Sequence, residues 1–174
     1  MRVQRVIFIC FILCFIAKFT FATSANTIIK GTSEGSAITG EVTLQEVNGG
    51  LEIEAKVSNV PPGKHGFHIH EKGSCEDMGK AAGGHYNPDN VMHGMVMKDG
   101  FQHAHPGDLG NIEVAANGTG VLKAFVPNLT LTGDKYNVSG KAMILHEKED
   151  DFSQPTGNAG GRIGCGVIAN AKKP

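Results

Sequence analysis

The stretch that most limits how this chain can fold is Lys64-His65-Gly66-Phe67-His68-Ile69-His70-Glu71. It reads as a β-strand, in which neighbouring side chains point to opposite faces. His68 and His70 then share one face, while His65, Phe67 and Ile69 share the other. Two imidazoles side by side on a rigid strand are suited to gripping one metal ion. The same parity sets His65 apart from that pair.

The rest of the apolar pattern also has a period of two. Thr27-Ile28-Ile29-Lys30 is a short first strand. Residues 37–47 alternate through Ile38, Val42 and Leu44 and stop at the turn signal Asn48-Gly49-Gly50. Leu51, Ile53, Ala55 and Val57 then alternate with Glu52, Glu54 and Lys56, which makes the two runs a hairpin with one wet and one buried face. Val60-Pro61-Pro62-Gly63 is a corner. Further strands are expected over residues 111–115, 121–126, 139–146 and 162–169. Roughly eight strands and no convincing helix predict an all-β sandwich or barrel of Greek-key type. Between residues 73 and 107 the periodicity stops. A stretch of that length without structure is uncommon in a compact domain unless it is functional or pinned.

Residues 1–25 are set aside as a leader. Met1-Arg2-Val3-Gln4-Arg5 is positive, Val6 to Ala17 is apolar throughout, and small residues place cleavage near Ala22 or Ala25. Lys18 interrupts the apolar run too early for a spanning helix, so no stable membrane association is expected after cleavage. Residues 26–174 then form a single exported domain. A net charge of −1 supplies no basic field for nucleic acid. Cys10 and Cys14 leave with the leader, and the remaining pair, Cys75 and Cys165, forms a disulfide in an oxidising compartment. Closing so long a loop stabilises a fold by about 4–5 kcal/mol in the chain-entropy model.

Seven of the eight histidines fall between His65 and His105. After the strand pair come Gly83-Gly84-His85-Tyr86-Asn87-Pro88, then His93, then His105-Pro106-Gly107-Asp108, and far downstream His146. Imidazoles and a carboxylate in such numbers point to metal chemistry.

Several motifs extend that reading. Gly66-Phe67-His68-Ile69-His70-Glu71, Gly84-His85-Tyr86-Asn87-Pro88, His105-Pro106-Gly107-Asp108-Leu109-Gly110-Asn111, His146-Glu147-Lys148 and Gly157-Asn158-Ala159-Gly160-Gly161-Arg162-Ile163-Gly164-Cys165 follow one another in this order. Together they closely resemble the copper/zinc superoxide dismutase family. The resemblance implies a flattened eight-stranded Greek-key barrel with a long metal-binding loop and a short electrostatic loop. It implies one copper ion per subunit, held by His68, His70, His85 and His146. It also implies one zinc ion, held by His85, His93, His105 and Asp108, with His85 as the shared bridge. By the same resemblance Arg162 docks superoxide, Asp150 links the two metal sites from behind, Thr156 narrows the channel, and Cys75 pairs with Cys165. His65 matches a core histidine that is not a ligand, in agreement with its strand parity. Superoxide is the implied substrate, and a homodimer is compatible with a family that includes monomers and dimers.

The chain departs from the family pattern in two loops. The segment 147–161 is short and lacks part of the charged stretch that relatives use for steering. The segment between His93 and His105 is longer than usual and carries Met95, Met97 and His103, with Met92 just before it. His103 competes with His105 as zinc donor, and the His-x-x-Asp spacing favours His105. The methionines either collect Cu(I) or pack the loop, and packing is favoured. Gly73-Ser74-Cys75 resembles the bacterial branch, which points to the periplasm, with secretion to the cell exterior as the alternative. Sequons at Asn117, Asn128 and Asn137 would be silent in a bacterium. The competing function on the same barrel is a non-catalytic exported copper carrier. The presence of all four copper positions and Arg162 argues against it.

Overall fold

A computed structural model describes residues 23–171. The expected leader lies outside them as far as Ala22. Eight antiparallel strands close into a barrel: β1 (Ser24–Gly31), β2 (Thr39–Val47), β3 (Gly50–Ser58), β4 (Gly63–His70), β5 (Asp108–Val114), β6 (Gly120–Pro127), β7 (Ala142–His146) and β8 (Arg162–Val167). Their order around the barrel is β1-β2-β3-β6-β5-β4-β7-β8. The steps from β3 to β4 and from β6 to β7 therefore cross over, as in a Greek key. The expected all-β class is what the chain adopts.

Alternation dictates which side chains fill the barrel. In β3 the residues Leu51, Ile53, Ala55 and Val57 are buried, while Glu52 and Lys56 face water. In β4 Phe67 and Ile69 enter the core without any exposure, and His65 is buried beside them. Each fully buried Phe, Ile or Leu contributes about 1.5–3 kcal/mol relative to exposure. The His65 ring bridges two carbonyls, with Nδ1 2.9 Å from that of His146 and Nε2 2.8 Å from that of Pro61. It is a structural strut, as parity requires.

β7 is buried on both faces. Met143 and Leu145 join the barrel core, whereas Ala142 and Ile144 form a second cluster with Ala82 and Cys165, against which Cys75 packs. The Cys75–Cys165 disulfide thus ties the segment after β4 to β8 across the outer face of β7.

Some element bounds differ from the sequence reading. β1 begins three residues earlier, because Ser24 to Asn26 still pair with β2. β7 begins at Ala142, since Gly140 turns the chain with φ of 72°. The aperiodic stretch holds a 3-10 turn at Lys80–Ala82 and one helical turn, α1 (Val96–Asp99). Four residues are too few to show a helical period. Val96 anchors α1 by burial, and Asp99 Oδ2 accepts a hydrogen bond from the Met95 amide at its start.

Candidate metal centre

The outward face of β4 would lie bare without the connection that follows it. That connection returns along the strand: Tyr86 donates its amide to the Ile69 carbonyl, and Ile69 donates to the Gly107 carbonyl. His70 and His85 meet in an isolated antiparallel bridge. These backbone bonds lay His85 beside His68 and His70. His146 arrives at the end of β7, which pairs with β4, and Asp108 is the first residue of β5.

Two donor sets result. The ligand atoms of His68, His70, His85 and His146 all lie within 4.8 Å of one another, and so do those of His85, His93, His105 and Asp108. His85 belongs to both. All seven residues expected from the sequence resemblance are therefore brought together in the two groups implied, and every one of them is buried.

Hydrogen bonds on the outer side of each ring decide which nitrogen is left to bind. His70 Nδ1 donates to the Gly83 carbonyl at 2.9 Å, so its Nε2 points inward, 3.3 Å from His146 Nε2. Asp150 accepts from two rings at once, from His68 Nε2 at 2.8 Å and from His93 Nε2 at 2.9 Å. His68 Nδ1 is then left buried without a partner, which an ordinary core does not tolerate. His93 Nδ1 lies 2.8 Å from Asp108 Oδ2, but without the alignment of a hydrogen bond. A carboxylate oxygen facing a ring nitrogen at that distance calls for positive charge between them, a proton in the metal-free chain or a metal ion. The orphaned nitrogens and the donor types fit the implied metals. Four imidazoles suit both oxidation states of copper, and three imidazoles with a carboxylate suit zinc.

The electrostatics of the metal-free chain separate the two sets. Burial, aided by the neighbouring imidazoles, lowers His70 to about 2, His146 to about 3 and His85 to about 4. At His93 burial is outweighed by the carboxylates of Asp108 and Asp150 beside the ring, which raise it to about 9. Burial also opposes charge on Asp108 and Asp150, yet their histidine partners hold both carboxyls well below the usual range. A pH dependence of stability follows. Below about pH 6.5 the unfolded chain protonates three histidines that the folded chain keeps neutral, each costing about 1.4 kcal/mol per pH unit. The His93 contribution is fully present below about pH 6.5 and is lost as pH rises through about 9. Metal-free protein is therefore expected to melt highest near neutrality. Thermal melts after chelation check this, and a midpoint that stays level from about pH 5 to 7 would contradict it.

Beside the first donor set is a cavity of about 190 Å³ lined by His70, His85, His146, Thr156 and Arg162. Arg162 is clamped by carbonyls. Its Nη1 donates to Gly79 at 2.5 Å and its Nη2 to Gly83 at 2.6 Å. The clamp sits on the segment that the Cys75–Cys165 disulfide ties to β8.

Three residues of this centre carried no assignment from the sequence. Asn111 holds the Asp150 backbone from both sides, donating from Nδ2 to its carbonyl at 2.9 Å and accepting its amide at 2.7 Å. Gln154 does the same for His93, donating at 2.9 Å and accepting at 3.0 Å, and Phe152 stacks on the His93 ring. Asn111 lies inside a motif already singled out. Gln154 has no local signal at all, because its partner is 61 residues away. Gly157 closes the rear of the site: its φ is 76°, and a Cβ there would collide with Asp150 Oδ1 and His93 Nε2.

Other candidates fall elsewhere. His103 is exposed and belongs to neither donor set, whereas His105 belongs to the second. Met97 packs against the core, the Met95 side chain lies near Gly110, and Met92 is exposed. The three do not form one exposed patch, in line with packing for Met97.

Comparison with known proteins gives the same picture. Residues 38–168 match the family described as copper/zinc superoxide dismutase. An extracellular Cu-Zn superoxide dismutase of Drosophila melanogaster is 42% identical over 149 residues, covering 78% of each chain. One from Caenorhabditis elegans is 38% identical, covering 77% of this chain and 62% of that relative. A third, from Haemonchus contortus, is 39% identical, covering 80% of this chain and 78% of the other. Among solved structures, that of the clock protein EA4 superposes with a TM-score of 0.74 at 34% identity, covering 87% of this chain and 97% of that one. The named relatives are extracellular proteins of animals, so the bacterial branch and the periplasm, read from Gly73-Ser74-Cys75, are not shown by them. A short segment before one cysteine carries too little sequence to assign a branch.

Proposed function

The chain belongs to the copper/zinc superoxide dismutase family, and we propose that its two donor sets divide the work of disproportionating superoxide to oxygen and hydrogen peroxide. His68, His70, His85 and His146 would hold copper. His85, His93, His105 and Asp108 would hold zinc. When bound, copper supplies a one-electron couple able to oxidise one superoxide and reduce the next, and zinc supplies a redox-inert charge on the shared imidazole. The observation that carries this allocation is that His85 is the one residue common to both sets.

The protein's own residues perform the remaining steps. Arg162 carries a permanent charge at the mouth of the cavity and draws the small anion in. Its carbonyl clamp keeps the guanidinium aimed beside His70, His85 and His146. Thr156 narrows the approach. His85 Nδ1 faces Asp108 at 2.8 Å, so its Nε2 is the ring atom left to take up a proton from water and pass it to the reduced substrate. Asp150 keeps the His68 and His93 rings turned to present Nδ1 inward.

Export is part of the same reading. Of the two cleavage points, Ala22 leaves β1 whole, whereas cleavage after Ala25 would remove Ser24 and Ala25, which pair with Gln45 and Leu44. N-terminal sequencing of the secreted chain is expected to begin at Thr23; a start at Asn26 would refute that choice. The enzyme reading is tested on the secreted protein loaded with copper and zinc. Catalytic removal of superoxide is expected. Stoichiometric copper binding without turnover would point instead to the carrier.

A further inference from the structure

We propose that Asn117 carries an N-linked oligosaccharide, a modification that depends on export but not on the metal chemistry. Three sequons occur in the described residues, and their geometry separates them. In Asn117-Gly118-Thr119 both donors of the threonine turn toward the asparagine. Asn117 Oδ1 accepts from the Thr119 amide at 3.1 Å and from Thr119 Oγ1 at 2.8 Å. Asn117 and Thr119 are both exposed, and the Asn117 Nδ2 makes no hydrogen bond among the described residues. In the other two sequons the hydroxyl oxygen accepts from another residue instead of bonding its asparagine, although Asn137 Oδ1 also accepts from the Ser139 amide at 2.8 Å. Thr130 Oγ1 accepts from the Gly133 amide at 3.1 Å, and Ser139 Oγ accepts from the Ala171 amide at 2.9 Å. Their middle residues, Leu129 and Val138, are fully buried, and Asn137 is itself half-buried in a bridge to Thr130.

The location also accommodates a bulky polar chain. Asn117 tips the turn between β5 and β6, after Val114, whereas Asp108 of the metal centre begins β5 at its other end. The turn is held from below, since Gly118 accepts the Val60 amide and Ala115 accepts the Gly118 amide. A saccharide on Nδ2 would project into water from this exposed tip without displacing a core contact.

The transfer needs an oligosaccharide donor of the polyprenyl-pyrophosphate class, encountered during secretion. The bond formed joins Asn117 Nδ2 to the anomeric carbon of the first sugar. The bond broken is that from the same carbon to the pyrophosphate oxygen. The lipid pyrophosphate departs with the electron pair, and the amide proton passes to the transferase.

The full chain is secreted from cultured animal cells, and its intact mass is measured before and after treatment with an amidase that releases N-linked glycans. The expected result is the loss of one oligosaccharide from the peptide spanning position 117, with the asparagine converted to aspartate. Asn117→Gln and Thr119→Ala should lack that oligosaccharide, while Thr119→Ser, which keeps a hydroxyl, should retain it. A wild-type peptide of unmodified mass, or a mass unchanged by Asn117→Gln beyond the substitution itself, overturns the proposal. Superoxide removal is assayed on the same samples, so an active, unglycosylated chain refutes the modification without touching the enzyme reading.

Discussion

Replacing His146 by alanine is expected to reduce superoxide turnover to the background of free copper while leaving the barrel and the zinc site in place. The imidazole is one of four donors in the first set and absent from the second. Losing a donor outright should cost more than the about 10–100-fold in affinity that follows loss of an outer hydrogen-bond partner. The backbone of residue 146 survives the change, so its carbonyl can still meet His65 Nδ1, and β7 keeps its pairing with β4. Metal analysis of the purified variant should find zinc near the wild-type level and copper sharply reduced. Full copper content with undiminished turnover would show that His146 is not a donor and would undo the first set.

That two separate metals can be assigned at all reflects how local the informative signals were. The pair His68 and His70 is set by strand parity, a property of adjacent residues, and the same parity kept His65 out of the site. His105 and Asp108 are three residues apart, and both reach the second set through one tight segment. What stayed illegible depends on partners distant in sequence. Asn111 clasps a backbone 39 residues away, and Gln154 one 61 residues away. Neither leaves a periodicity or a spacing to read. The helical turn at Val96–Asp99 was hidden for a different reason, since its burial comes from packing against the barrel and not from a pattern of its own. The strands were legible wherever one face met water, as in β3. β7, buried throughout, showed only an apolar run whose start the turn at Gly140 decides.

The second large effect falls on the carboxylate shared behind both sites. Asp150 has no exposure, and its two oxygens accept from His68, His93 and the Phe152 amide. Asp150→Ala leaves those donors buried and unpaired, at a cost of about 1–3 kcal/mol each. It also frees the His68 and His93 rings to turn. One of these rings belongs to each donor set, so affinity for both metals should fall together, zinc by about 10–100-fold. That joint loss distinguishes the shared brace from a simple ligand, because His146→Ala should release copper alone. Gly157→Ala offers an independent route to the same result, as the added Cβ would push against Asp150 Oδ1 and His93 Nε2 without changing any polar group. Competition titrations with chelators for each metal read both affinities directly. If Asp150→Ala held zinc as tightly as wild type, the orientation of His93 would have to come from Gln154 and Phe152 instead, and Asp150 would not be the link between the two sites.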